Sequence, residues 1–145
     1  MLPFLEKLLV AVAIGGILGL EREHTKHQTL VGVRTFSLIS LFGMLLSELA
    51  GDYSPWAILI GLVGILGLTL SFYYFRATHF KNAIGITTIV VIPLTYVLGV
   101  LVSRGYTLEA IASTVLMAYV LVERGAVHRL VEHVSRREII DGLLF

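Results

Sequence analysis

GGILGLEREHTKHQTLVGVRTFSLISLFG, residues 15–43, is the stretch whose reading decides the fold. An apolar run stops abruptly at Glu21-Arg22-Glu23. A short polar segment follows, and a second apolar run begins with Arg34-Thr35 near its first turn. This is the pattern of two closely joined helices with their charge gathered at one membrane boundary. Gly15 and Gly19 are four apart, a small-xxx-small spacing that lets helix backbones approach closely. Three or four positions further along the same face lie Arg22 and Glu23, so the packing face leads into the charged cluster.

The rest of the chain supplies a hydrophobic frame. Of 145 residues, 57% are hydrophobic and 14% charged, against about 25% charge in soluble domains. A soluble core of this size cannot hide so many apolar side chains, whereas a bilayer accepts them. The net charge of +1 gives no support to nucleic-acid binding. There is no cysteine, which excludes disulfides and thiolate sites. Glu6 and Lys7 interrupt the start, and Glu21-Arg22-Glu23 stands where a signal peptide would have small residues, so a cleaved leader is not expected.

Taken in order, the apolar segments run from about Leu2 to Leu20, Val31 to Leu49, Trp56 to Phe75, Ile84 to Val102 and Thr107 to Val122. Polar loops are expected at Glu21–Leu30 and Arg76–Asn82, and a tight turn at Gly51–Pro55. On segment two, Ser37, Ser40, Met44 and Ser47 share a helical face, with Arg34 one turn earlier on the same stripe. Gly61, Gly64, Leu68 and Ser71 form a lean stripe on segment three, with Trp56 and Tyr73-Tyr74-Phe75 placed as interfacial aromatics. Segment four carries Thr88, Thr95 and Gly99 on one face and Pro93 in its middle, which predicts a kink. Val127, Leu130, Val131 and Val134 recur at helical spacing among charges, the pattern of an amphipathic helix on a membrane surface. The expected fold is therefore all-α integral membrane: a five-helix transmembrane domain over 1–123 and a C-terminal amphipathic helix over 124–145 on the cytoplasmic side.

With five spans, Arg22, Lys26, Arg34, Arg76, Lys81, Arg124, Arg129, Arg136 and Arg137 fall on one side, and Lys7 and Arg104 on the other. The positive-inside rule then puts the N-terminus outside and the C-terminus in the cytoplasm of a multi-pass cell-membrane protein.

Glu21, Arg22, Glu23, Arg34 and Thr35 make a polar hairpin at the cytoplasmic boundary. Glu21 and Glu23 point about 200° apart on a continuous helix, at about 100° per residue, so one ion cannot take both without a helix break or a second subunit. Glu23 reads as a structural partner, Glu21 stays open as an oxygen ligand, and Arg34 is expected to pair with one of them across the hairpin. Glu48, near the outer end of segment two, reads as an interfacial acid first and as an outer gate or ion-attracting carboxylate second. No HExxH, phosphate-binding loop or GxSxG is present, and the interiors of the apolar segments carry no ionisable groups beyond these end positions. An enzyme is not expected, nor a cofactor, and the sequence does not say whether a metal binds.

These residues resemble the MgtC/SapB family of bacterial and archaeal membrane proteins. Gly15 through Glu23, then Gly32-Val33-Arg34-Thr35 and Leu38 to Gly43, look like that family's G-x-x-x-G-L-E-R-E and G-x-R-T…L-x-x-x-G pattern. Gly85-Ile86-Thr87-Thr88, continuing to Gly99, is similar to its later G-[LI]-T-T helix. The resemblance implies an integral membrane domain linked to growth at low magnesium, with some members acting on other membrane proteins. Trp56 to Ser71 keeps glycines but lacks the glutamine of the bacterial branch, and the chain stops soon after its fifth span, so a short form with only the hydrophobic domain is expected.

Two functions follow as expectations. One is a non-enzymatic membrane protein that supports magnesium or other divalent-cation homeostasis by contact with another membrane protein, with the glycine faces serving a homo-oligomer. The other is an oligomeric ion channel or transporter with an uncharged polar pore lined by Ser37, Ser40, Thr88 and Thr95.

Overall fold

The computed structural model describes residues 3–25, 31–51, 54–79 and 86–122. They form five α-helices and, among the described residues, no strand: α1 Phe4–Thr25, α2 Val33–Ala50, α3 Pro55–His79, α4 Ile86–Ser103 and α5 Thr107–Val122. The amphipathic helix expected over 124–145 lies outside the described residues.

α1 does not stop at Leu20. It continues through Thr25, so Glu21, Arg22 and Glu23 are helical where a loop was expected. None of Glu21 to Thr25 is proline or glycine, so nothing in the residues breaks the helix there. α3 likewise extends a turn past Phe75 to His79. α4 runs as one helix through Pro93. Proline there removes the donor for the Ile89 carbonyl without ending the helix.

α2 and α4 form the centre. α2 packs on α1, α3 and α4, and α4 packs on all four other helices. The approach of α1 to α2 depends on glycine. A Cβ on Gly15 would strike the Phe36 carbonyl and Ser37 Cα, and one on Gly19 would strike the Val33 backbone. The approach of α2 to α4 repeats the device from both sides, with Gly43 against the Tyr96 carbonyl and Gly99 against the Ser40 carbonyl. α1 and α2 run antiparallel, since the contacting numbers rise on one as they fall on the other, whereas α2 and α4 run in the same direction and their C-termini meet, Glu48 beside Ser103 and Gly51 beside Arg104. Tyr96, fully buried, ties α3 on: its hydroxyl donates to the Ile58 carbonyl at 2.9 Å and its ring sits 5.8 Å from that of Phe42. Gly51 (φ +54°) and Gly105 (φ +90°) hold left-handed conformations where α2 and α4 end. At Gly105 the Tyr106 N–H returns to the Leu101 carbonyl at 3.0 Å, the long-range bond of a glycine-terminated helix.

The core is thin and the outside is apolar. Phe36, Ile14, Leu18, Val102 and Met44 are buried, while Leu49, Leu108, Trp56, Ile60 and Tyr74 are among many large apolar side chains left exposed. Residues 33–50 and 55–78 are long and apolar enough to cross a membrane. α4 and α5 are apolar but shorter. The expectation of five helices holds; two of them, α2 and α3, meet the length and composition of a membrane span on their own. Trp56 and the Tyr74-Phe75 pair are exposed near opposite ends of α3, at the positions expected of interfacial aromatics.

Candidate functional site

Buried positions on α1 recur at Lys7, Ala11, Ile14, Leu18 and Arg22, spacings of three and four that place them on one face. The face is apolar along its middle and cationic at both ends. Each cation meets a different set of partners, so the bundle has two polar ends.

At the first end, Arg22 is 4% exposed. Its Nε lies 3.5 Å from Glu21 Oε2, and its Nη1 lies 3.5 Å from Thr87 Oγ1 on α4. The side chains of both pair members are almost fully covered, at 4% and 7% exposure. Glu23 turns the other way. Its Oε1 accepts the Val33 N–H at 3.2 Å. Gly32 begins α2 with no capping side chain of its own, and a Cβ there would collide with the Glu23 carboxylate. Glu23 thus caps α2 from the neighbouring helix, placing a negative charge at the positive end of the helix dipole.

The divergence of Glu21 and Glu23 is therefore as the helical geometry predicts, but the arginine differs. Arg34 and Thr35 are exposed, and among the described residues no ion pair joins Arg34 to either glutamate. Arg22 takes that place because it extends the glycine face inward, whereas Arg34 is turned out on the first turn of α2. Among the described residues, no group of three His, Cys, Asp or Glu side chains could hold a metal ion.

The hydroxyls read as a candidate pore stripe are spread among helix contacts. Ser37 donates to the Val12 carbonyl of α1 at 3.2 Å. Ser40 is buried where α2 meets Gly99. Thr95 donates to Val91 of its own helix at 2.8 Å, and Thr88 is buried on α4. Open grooves on the bundle have other linings. One between α1 and α5, about 550 Å³, is walled by Ile17, Leu20, Ala118 and Val122 with Glu21 and His24 at its rim. Another between α2 and α3, about 420 Å³, is lined by apolar residues and runs past Gly61 and Gly64.

The second end was only half legible. The sequence presents Glu48 as an interfacial or ion-attracting acid and Lys7 as a charge of the outer side; the fold joins them. Lys7 Nζ lies 3.1 Å from both carboxylate oxygens of Glu48 and 2.9 Å from the Ser103 carbonyl. The Ser103 hydroxyl donates to Glu48 Oε2 at 2.7 Å. Arg104 donates to the Gly51 carbonyl at 2.9 Å. The signal for Lys7 was its register: it is four before Ala11 on the buried face. Nothing local pointed to Ser103, which arrives from a distant part of the chain.

No curated protein and no solved structure matches this chain. The model of the MgtC family matches residues 8–130, a span that takes in the glycine face, the Glu21–Glu23 cluster, the α2 cap and all of α2 to α5. The chain belongs to the MgtC family.

Proposed function

We propose that this protein is a non-enzymatic, multi-pass cell-membrane protein that supports magnesium homeostasis by contact with other membrane proteins. The observation that carries the reading is the use of the polar groups. Ser37 and Thr95 donate to helix carbonyls, and Ser40 sits against Gly99. The α1, α2 and α4 backbones meet through glycine and leave little room between them. Such packing favours a modulator over a channel lined by those residues. Family membership supports the magnesium link, and the apolar outer surface supports the membrane.

In this reading all five helices lie within the bilayer, α4 and α5 as its shorter members. The Glu21–Arg22–Glu23 end faces the cytoplasm, where the excess of Lys and Arg falls, and the Lys7–Glu48 end faces outside. The open groove between α2 and α3 offers a face for a second copy or another membrane protein. Flux of magnesium, potassium and protons into liposomes holding the purified protein tests it. Rates equal to those of empty liposomes are expected for all three ions; a flux of any one that depends on Thr95 or Ser40 sinks the modulator reading in favour of a channel.

A further inference from the structure

The Lys7–Glu48–Ser103 cluster has the composition of a cation site. Its donors are all oxygen: two from a carboxylate, one backbone carbonyl, and a hydroxyl that fixes the carboxylate from behind. The C-termini of α2 and α4 both arrive here, and the negative ends of their dipoles add to the Glu48 charge. The Lys7 side chain is 7% exposed and that of Glu48 34%, so Glu48 is partly open to its surroundings. The three oxygens stand 2.9–3.1 Å from the ammonium nitrogen. Magnesium requires about 2.0–2.1 Å and calcium about 2.3–2.6 Å, so the cradle is too wide for either and suits a larger, singly charged ion.

We propose that Glu48 and Ser103 form a binding site for a monovalent cation of ammonium size, potassium or ammonium itself, and that the Lys7 ammonium is its tethered occupant. Lys7 keeps the site closed in the intact chain. When its side chain withdraws, the carboxylate loses its closest counter-charge, with Arg104 left as the other cation nearby, and a free cation can take the vacated place. The site is separate from the Glu21–Arg22–Glu23 end, and it requires neither transport nor magnesium binding.

The test is thermal unfolding of the full chain in detergent, in potassium or ammonium chloride against choline chloride at equal ionic strength. Lys7→Ala is expected to unfold early in choline and to recover by roughly 3–5 °C in potassium or ammonium, with a smaller response to magnesium. Wild type is expected to respond little, because Lys7 already fills the cradle, and Glu48→Gln added to Lys7→Ala is expected to abolish the recovery. Equal midpoints of Lys7→Ala in potassium and choline overturn the proposal. So does an equal response in wild type, or one that survives Glu48→Gln. Lys7→Met, which keeps most of the stem and loses the charge, repeats the measurement if the alanine variant does not fold. Failure of both to fold in potassium also overturns it, since potassium should then fill the site.

Discussion

Lys7 and Arg22 close opposite ends of one buried stripe on α1, exposed only 5% and 4%. Fifteen residues separate them, roughly 22 Å of helix. A bilayer's hydrocarbon core is about 30 Å thick. In the proposed membrane placement that separation is shorter than the hydrocarbon core, and both cations are covered by protein. Lys7 is covered by the ends of α2 and α4, and Arg22 by Glu21 and the start of α4. The apolar middle of the stripe, Ala11, Ile14 and Leu18, holds the helix against its neighbours between these two anchors.

The first prediction separates the two arginines of the hairpin. Arg22→Ala removes the Arg22 guanidinium from the covered Glu21 carboxylate and from Thr87, and breaking a buried pair costs up to about 3–5 kcal/mol. Arg34 is exposed, so Arg34→Ala should stay within about 0.5 kcal/mol of wild type. Glu21→Gln should cost much less in the Arg22→Ala background than alone, because the two groups act as one unit. Unfolding midpoints in detergent measure all four variants. A loss for Arg34→Ala equal to that for Arg22→Ala would reject the pairing seen here.

A second prediction concerns the borrowed cap. Glu23→Ala removes the acceptor for the Val33 N–H, and loss of a helix cap costs about 0.5–2 kcal/mol. Glu23→Gln keeps an acceptor and should recover part of that. Gly32→Ala should be harmful as well, since the new methyl takes the space of the Glu23 carboxylate. In the Glu23→Ala background the same methyl meets no carboxylate, so the two losses should not add. Hydrogen exchange at Val33 is the direct readout: faster exchange in Glu23→Ala is expected, and unchanged exchange rejects the cap.

What the sequence reveals here is what local spacing can carry. The Gly15–Gly19 face, its extension to Arg22 and Glu23, the divergence of Glu21 from Glu23 and the bounds of α5 all depend on positions within a few turns. The charge at Glu21-Arg22-Glu23 suggests a loop, yet α1 continues through Thr25 because glutamate and arginine are good helix formers. The choice between Arg22 and Arg34 depends on how α1 and α2 face each other. Lys7, Glu48 and Ser103 meet only because α2 and α4 run in the same direction and α1 runs against α2, which brings the N-terminal end of α1 to the C-terminal ends of the other two. Their separations in sequence, 41 and 96 residues, leave no local trace.

The glycines give the sharpest contrast, because the fold uses some for contact and leaves others open. Gly99→Ala forces a methyl against the Ser40 carbonyl and Gly15→Ala one against the Phe36 carbonyl. The obstacle in each case is backbone, which yields little, so a loss of about 1–3 kcal/mol is expected. Gly64 and Gly67 have open space where a Cβ would go. Alanine there should be tolerated and should even add up to about 1 kcal/mol, because glycine is the weaker helix former. That holds for a single chain. If a second copy packs closely on the α3 face, Gly64→Leu should lower the crosslinked oligomer fraction while the monomer stays folded. Gly64→Leu with assembly unchanged would exclude this face as the contact between copies, and a stability loss for Gly64→Ala in the monomer would contradict the open groove itself.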